Sequence, residues 1–572
     1  MRIFTCDEVG QAEREAAARP GMSSPVLLQR AGMAVAQFCL AHFKLKSVCV
    51  VCGHGENGGR GLAAGEALRG LAEEVSIIIL AKDETQLNPY AAAMLAHLGI
   101  SPIWLGDEAG FELDAVRQAL KADLIVDAIA GCGFQPPLQV IGRKAVEAIN
   151  DAFGTVVSVD LPSGVDADKL PARANGDMVF AHGIITFVAP KPAHIFGELT
   201  SGPIAVSELG VQPVLVPNQI ALSVVTGQEV GIAFPPRPAD ANKGQFGHVL
   251  VIAGSLGKAG AASLAGIAAL VAGAGLVTVA CPRSIQATVA GFAPELMTEG
   301  LPETGEGTIA LAAGAKVDAL LIGKDVVVLG PGLSTRKETA EFVRRLVARC
   351  PLPLVLDADG LNAFAGQYSE LSPRGDAALF RVLTPHPGEA ARLLDLPIRE
   401  IQADRVQIAQ RLSRDTGSCV ALKGSRTVVA GLSRETWINM SGNPALAKSG
   451  SGDVLSGIIA AALARHAATT AMKEAAPPVS AHTRTAHQEL SDSERLRIYQ
   501  EQQLKQSSAQ LSAFLADLRV AGAVHLHGLA ADFARDHLHE NTVLAMDLLE
   551  HLSEAFHECE LQRDHELFYL QR

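Results

Sequence analysis

Short runs of β-branched and apolar residues recur along this chain, each followed by an Ala- and Leu-rich stretch with helical spacing. That alternation constrains the fold more than any other feature. Parallel strands joined by crossover helices are the packing that satisfies it. In the first half the strand candidates are 48–52, 75–80, 124–127, 156–160 and 184–188. In the second half they are 249–253, 276–280, 326–329, 352–356, 382–384, 420–422 and 427–430. The expected class is α/β, with a largely parallel sheet in each half. Five prolines, Pro213, Pro217, Pro235, Pro236 and Pro238, crowd a short stretch and disfavour regular structure there. They place a domain boundary near Thr226, giving domains 1–225 and 226–572.

One stretch breaks the pattern. Residues 467–509 are polar, contain Pro477-Pro478, and read as a loop or unstructured insertion. Its end carries a helix-start signal, Ser491-Asp492-Ser493-Glu494. Leu504, Leu511 and Leu518 follow at seven-residue spacing, too few for a coiled coil.

The 48 basic and 61 acidic residues leave a net charge of −13, with no basic stripe carrying interleaved aromatics. Nucleic acid is therefore not an expected partner. The N-terminus has no apolar signal region, and no apolar run is long enough to span a bilayer, so a membrane is not expected either. Nine scattered cysteines, an odd number, fit a reducing cytoplasm. Cys49 and Cys52 form C-x-x-C, but inside an apolar run that reads as a buried strand.

The strongest motif is Gly450-Ser451-Gly452-Asp453-Val454-Leu455-Ser456-Gly457, a small-residue loop opening an apolar helix. Backbone N–H groups at such a helix start form an anion hole. Asp453 at its mouth is placed to take a proton from a hydroxyl attacking a phosphoryl group, or is simply a helix cap. Around it stand Gly330-Pro331-Gly332, Asp357-Ala358-Asp359-Gly360, Thr384-Pro385-His386-Pro387-Gly388-Glu389, Leu422-Lys423-Gly424 and His527-Gly528-Leu529-Ala530. In this order they resemble the ribokinase-like ADP-dependent NAD(P)H-hydrate dehydratases, from about Asn242 to Phe556.

The resemblance implies that Asp453 is the catalytic base and that Gly452 and its neighbours are the anion hole. It implies that Lys423, Gly424, Ser425, Arg426 and Thr427 bind the nucleotide, and that Ala261, Gly332 and His386 contact substrate. ADP is the implied co-substrate, with Mg²⁺. Ser451 stands where the family has Thr, and Ser334 where it has Gly. The histidine pairs His525/His527 and His537/His539 tempt a metal reading. Residues two apart do not share a helical face, so packing is the expected role.

In the first half, Gly55-Glu56-Asn57-Gly58-Gly59-Arg60-Gly61 follows a strand, as phosphate-cradling turns do. Asp127-Ala128-Ile129-Ala130-Gly131-Cys132-Gly133 and Asp160-Leu161-Pro162-Ser163 end two further strands. In doubly wound sheets, ligands bind at such carboxyl ends. Together these segments resemble the Rossmann-like NAD(P)H-hydrate epimerases, over about Met1 to Gly210. The resemblance implies a three-layer αβα domain, like the ribokinase-like one behind it. It implies K⁺ bound by Asn57, Asp127 and Ser163, and Asp160 as the acid/base. Substrate would lie against Glu56, Asn57, Gly58, Gly59, Arg60, Asp160 and the run Gly131, Cys132, Gly133, Phe134, Gln135, Pro136, Pro137. The family has Asn at Glu56 and Asp at Arg60, so the charge beside the site is inverted here. Arg60 is then either a phosphate ligand or the mark of a silent domain.

The expected activity is nicotinamide-nucleotide repair: epimerisation of the R and S hydrates of NADH and NADPH, and dehydration of the S form with ADP to give AMP and phosphate. A homo-oligomer is expected, since members of the family commonly assemble. Two alternatives stay open. One is a dehydratase carrying a non-catalytic N-terminal binding domain. The other is a ribokinase-like kinase for a small alcohol, which would leave a stable phosphorylated product.

Overall fold

The computed structural model describes residues 1–96, 98–168, 178–211, 222–372, 380–474, 492–561 and 567–571. It divides into two units, Met1–Ala221 with Asp564–Arg572, and Leu222–Arg563.

The first unit holds β1 (Ser47–Cys52), β2 (Glu74–Ile79), β3 (Ile103–Trp104), β4 (Leu124–Ala128), β5 (Thr155–Val159), β6 (Gly183–Phe187) and β7 (Ile204–Ser207). These strands are mutually parallel, in the order β7-β6-β5-β4-β1-β2-β3. The second unit holds β8 (Leu222–Val224), β9 (His248–Ile252), β10 (Leu276–Pro282), β11 (Met297–Leu301), β12 (Val326–Leu329), β13 (Leu354–Leu356), β14 (Arg381–Leu383), β15 (Cys419–Leu422), β16 (Val428–Ala430) and β17 (Thr436–Ile438). Their order is β11-β10-β9-β12-β13-β14-β15-β16-β17-β8, parallel except where β16 runs antiparallel to both neighbours. The last strand, β18 (Leu567–Gln571), pairs antiparallel with β7 and completes an eight-stranded sheet in the first unit.

Helices flank both sheets, and β1, β4 and β5 are buried along almost their whole length. A parallel strand covered on both faces has no polar side, which is why these segments read as unbroken apolar runs. Cys49 and Cys52 lie buried in β1, where desolvation pushes Cys49 up to about 12 and Cys52 higher still.

Two expectations need correction. A split after residue 225 would detach β8, which pairs with β17 in the second sheet, and would leave β18 with the wrong unit. The 467–509 stretch is not a loop at its start, and its end is helical as the start signal there implied. The helix Ser451–Glu474 runs through 467, and the helix Asp492–His537 starts at the capping signal. Ala, Glu, Gln, Lys and Leu dominate those flanks, and their helix propensity does not depend on being apolar. Residues 475–491 lie outside the described residues.

Each sheet reverses direction once. In the first, β1 sits between β2 and β4; in the second, β9 sits between β10 and β12. At such switch points, loops leave adjacent strands in opposite senses and open a crevice at the carboxyl ends.

Candidate functional site

In the second unit the candidate residues line up along successive strand ends. Ser255 follows β9, Gly330-Pro331-Gly332 follows β12, Asp357 follows β13, Thr384-Pro385-His386 follows β14, and Lys423 follows β15. The first two loops are tied together: Gly254 N–H donates to Pro331 O at 2.8 Å, and Ser255 Oγ donates to Gly332 O at 2.7 Å. A Cβ at Gly332 would stand 3.1 Å from Ala261, so these two expected substrate contacts are neighbours.

Asp357 is the hub. Its buried carboxylate accepts from Lys423 Nζ and Thr384 Oγ1 at 2.8 Å on Oδ1, and from Ser456 Oγ at 2.8 Å on Oδ2. Burial works against the Lys423 charge, but Asp357 and Glu389 overcome it and raise its pKa. Lys423 is thus a partly buried, paired cation and not a free surface lysine. A Cβ at Gly452 would stand 3.3 Å from Lys423 Nζ and 3.8 Å from Asp357 Oδ2, so the anion-loop backbone lies directly over this pair.

Asp453 occupies the first turn of the helix Ser451–Glu474. Burial raises its carboxyl to about 7, and Asp357, Asp359 and Glu389 add to the rise while Lys423 opposes it. A carboxylate poised near neutral pH is what a general base needs. The turn is braced from behind, where His527 Nε2 lies 2.9 Å from Ser451 O and Ser451 Oγ donates to Leu446 O at 2.8 Å. A carbonyl only accepts, so Nε2 carries the proton; burial holds His527 down to about 4, consistent with a neutral ring.

His386 caps the helix Pro387–Leu394, its Nδ1 accepting from Gly388 N at 3.0 Å. Nδ1 is therefore the acceptor and Nε2 carries the proton; on this half-exposed ring Nε2 lies 3.4 Å from Glu389 Oε1. The Lys423–Thr427 loop is clasped by Arg405, which donates to the carbonyls of Ser425, Arg426 (2.9 Å) and Leu422 (3.4 Å). Arg405, Thr384, Ser456 and Glu389 were not assigned roles from the sequence. Three of them carried a signal: Thr384 and Glu389 as members of the Thr-Pro-His-Pro-Gly-Glu motif, and Ser456 as a member of the Gly450–Gly457 motif. Of the histidine pairs, His525 and His527 are buried and hydrogen-bonded, while His537 meets His551 and Glu554 with ligating atoms within 4.8 Å of one another.

In the first unit the centre is Asp160, fully buried at φ +70°, a left-handed conformation that a non-glycine residue holds only against strain. Its N–H donates to Ile185 O at 2.7 Å and its carbonyl lies 2.7 Å from His194 Nε2. Oδ1 accepts from Lys191 Nζ and Thr186 Oγ1, both at 2.8 Å; Oδ2 accepts from Cys132 N at 2.7 Å. Burial alone would raise this carboxyl, but Lys191 and Arg60 outweigh it and hold it well below the usual carboxylate range. Lys191 and His194 stand in Pro190-Lys191-Pro192-Ala193-His194, just past an apolar strand. A lysine and a histidine there were the missed signal.

Arg60 is buried. Its NH2 donates to both Glu13 oxygens at 2.8 and 3.0 Å, and its NH1 lies 3.9 Å from Asp160 Oδ2. The inverted charge is therefore matched by Glu13, on the helix Cys6–Ala17. Gly58 and Gly59 sit inside the helix Glu56–Leu68 and not in an open turn. A Cβ at Gly58 would stand 1.8 Å from Gly53 O, so the glycine is demanded by close packing there.

Asp127 and Ser163 are joined to one another: Ser163 Oγ donates to Asp127 Oδ1 at 2.5 Å and its N–H to Oδ2 at 2.9 Å. Burial raises Asp127 despite these bonds. Asn57 Nδ2 donates to Val159 O at 3.0 Å, while its Oδ1 is buried without a partner. A Cβ at Gly131 would stand 2.8 Å from Asp160 Oδ2 and 3.0 Å from Asn57 Oδ1, so this backbone shares the floor of the site. Cys132 is also one half of a disulfide, with Cys6, which an expected reducing environment did not anticipate.

Residues 24–193 match the family model described as YjeF-related protein N-terminus, and residues 249–509 match that of NAD(P)H-hydrate dehydratase. The bifunctional NAD(P)H-hydrate repair enzyme Nnr of Moorella thermoacetica is 38% identical over 477 residues, covering 80% of this chain and 87% of that protein. Its Escherichia coli counterpart is 34% identical over 470 residues, covering 81% and 85%. A crystal structure of ADP/ATP-dependent NAD(P)H-hydrate dehydratase from Bacillus subtilis aligns at TM-score 0.44 and 24% identity, covering 59% of this chain and 98% of its own.

Proposed function

The chain belongs to the bifunctional NAD(P)H-hydrate repair enzymes, and from that premise we propose how its own residues divide the work. The second unit dehydrates the S hydrate of NADH or NADPH with ADP. The observation that carries this is Asp453, a carboxyl raised to about 7 in the turn above the Lys423–Asp357 pair.

Hydroxide is a poor leaving group, so the hydrate's hydroxyl is first made into a better one. Asp453 takes its proton as the oxygen attacks the β-phosphorus of ADP, and AMP departs. The phosphate ester then eliminates phosphate and restores the dihydronicotinamide. Amides of Gly452 and its neighbours, at the start of a helix, meet the transferred phosphoryl group. Lys423, Gly424, Ser425, Arg426 and Thr427 hold the nucleotide, while Ala261, Gly332 and His386 face the hydrate. Mg²⁺ enters with the ADP phosphates and offsets their charge.

The first unit interconverts the R and S hydrates. The hydrated carbon bears both the ring nitrogen and the hydroxyl. Loss of hydroxide leaves an iminium that water can rejoin from either face. Asp160, kept ionised by Lys191 and Arg60, stabilises that cation, takes the proton of the returning water and passes it to the hydroxide that left. Because Arg60 is gripped by Glu13, it acts on Asp160 and is not a free phosphate ligand. Asn57, Asp127 and Ser163 fit a potassium ion. Asn57 Oδ1 lacks a partner, and the donors to Asp127 (Ser158, Ser163 and Ile129) are all neutral. Bound there, K⁺ would supply a counter-charge to the Asp127 carboxylate, which burial raises.

No helix among the described residues is long and apolar enough to cross a membrane. The reading carries with it a cytoplasmic homo-oligomer, as the family resemblance implies. The test mixes R and S hydrates of NADH with the protein, ADP, Mg²⁺ and K⁺, and follows recovery of reduced-nicotinamide absorbance. Full recovery, faster than spontaneous epimerisation, is expected. Rapid recovery of the S fraction alone would mean a silent first unit. A stable phosphorylated product would mean a kinase.

A further inference from the structure

The Cys6–Cys132 disulfide joins residues 126 apart in sequence, and the chemistry above makes no use of it. Both cysteines are half-buried and neither belongs to the buried core. The other seven are buried free thiols. Burial pushes Cys39 and Cys49 up to about 12 and Cys281 to about 11, and raises Cys52, Cys350 and Cys419 as well. Thiols so desolvated exchange poorly, which concentrates thiol chemistry on this one pair.

Both ends of the bond lead to the same oxygen atom. Cys132 donates its own N–H to Asp160 Oδ2 at 2.7 Å. Cys6 opens the helix Cys6–Ala17, and from that helix Glu13 holds Arg60, whose NH1 lies 3.9 Å from the same Oδ2. One covalent link therefore ties together the two segments that place a donor and a positive charge on this carboxylate oxygen.

We propose that Cys6–Cys132 is a thiol–disulfide exchange site that takes a small dithiol, and that its closed form holds the Asp160 surroundings in the epimerising arrangement. A thiolate of the dithiol attacks Cys132 Sγ and the Cys6–Cys132 bond breaks. Cys6 leaves as a thiolate and takes a proton. The second thiol of the dithiol then attacks the mixed disulfide and releases Cys132 as a thiol. The two electrons gained by the protein are those lost by the dithiol, which departs as a cyclic disulfide. Opening removes the tether, so the Cys132 amide and the Glu13–Arg60 arm are free to part from Asp160. The inference rests on Asp160 being the epimerase carboxylate.

The experiment uses the full-length enzyme as purified without reductant, after dithiothreitol, and after reoxidation. Peptide mapping is expected to recover the Cys6–Cys132 cross-linked peptide only in the first and third. Hydrogen exchange at residues 130–133 is expected to quicken on reduction. Epimerase kcat/KM is expected to fall by about tenfold or more, as misplaced catalytic groups do, with dehydration unchanged. Cys6→Ser should behave as the reduced enzyme under all conditions. Absence of the cross-linked peptide overturns the proposal. So does an epimerase rate, or a 130–133 exchange rate, that ignores the redox state. Redox-dependent exchange with no epimerisation in any state would leave the exchange site standing and remove Asp160 from its role.

Discussion

Replacing Asp453 by Asn should make the protein inactive as a dehydratase and more stable at neutral pH. In the folded chain this carboxyl is raised from 3.8 to about 7, first by burial and then by Asp357, Asp359 and Glu389. Between those values the folded state binds a proton that the unfolded state does not. Stability therefore falls as pH rises across the window, and the loss is complete above about pH 7. Three units at about 1.4 kcal/mol each set a ceiling of about 4 kcal/mol, and solvent at this half-buried group reduces it to about 2. Asn carries no such penalty. Melting curves of the two proteins should coincide near pH 4, diverge up to pH 7 and then run parallel, with the variant a few degrees higher. Dehydration should fall by about 10²–10⁴-fold, the contribution of a general base, while ADP binding changes little. In the parent enzyme the rate should climb with pH to a plateau above about 7. A melting difference equal at pH 4 and pH 8, or turnover surviving in the variant, would refute the reasoning.

Three further substitutions probe the charges around these sites. Arg60→Asp would restore the family's residue but set a third carboxylate between Glu13 and Asp160; a loss of about 3–5 kcal/mol in denaturant unfolding of the first unit is expected. Lys423→Met strands the buried Asp357 carboxylate, costing a similar about 3–5 kcal/mol, and it should move the midpoint of the dehydration pH profile upward, since Lys423 lowers the pKa of Asp453. Gly452→Ala puts a methyl 3.3 Å from Lys423 Nζ; dehydration should drop while the melting temperature stays put, as paired activity and melting measurements would show.

What the sequence made legible is the middle of each sheet. Every strand candidate corresponds to a strand, and the six strands it did not reveal are β3, β7, β8, β11, β17 and β18. Each of those lies at a sheet edge or next to one. Central parallel strands are apolar on both faces and announce themselves. β11, Met297-Thr298-Glu299-Gly300-Leu301, is exposed at its start and mixes polar residues into the run, while β7 and β17 are buried but only four and three residues long. The same asymmetry holds at the sites. Glycine- and aspartate-rich loops sit at strand ends and are visible as motifs. Glu13, Lys191 and Arg405 act across long sequence separations, as salt bridges and clasps whose partners only the fold supplies. Arg60 has one compensating charge four residues away, Glu56 at 3.3 Å, but the closer partner, Glu13, lies 47 residues away.

The two units use one geometric device, the carboxyl ends at a switch point, and set its central aspartate in opposite ways. Asp160 is hemmed by Lys191 and Arg60, which hold it well below the usual carboxylate range. Asp453 is hemmed by carboxylates and sits near its own titration point at neutral pH. Asp160 faces a cation and takes a proton only from the water that rejoins it, which suits the first setting; Asp453 must take a proton from a neutral hydroxyl, which needs the second. The consequence is measurable without knowing either structure. Between pH 6 and 8 the epimerase rate should be flat while the dehydratase rate rises, so acidification should slow repair by letting the S hydrate accumulate in balance with R. An epimerase rate that titrates in that range would mean that some group other than Asp160 carries the proton.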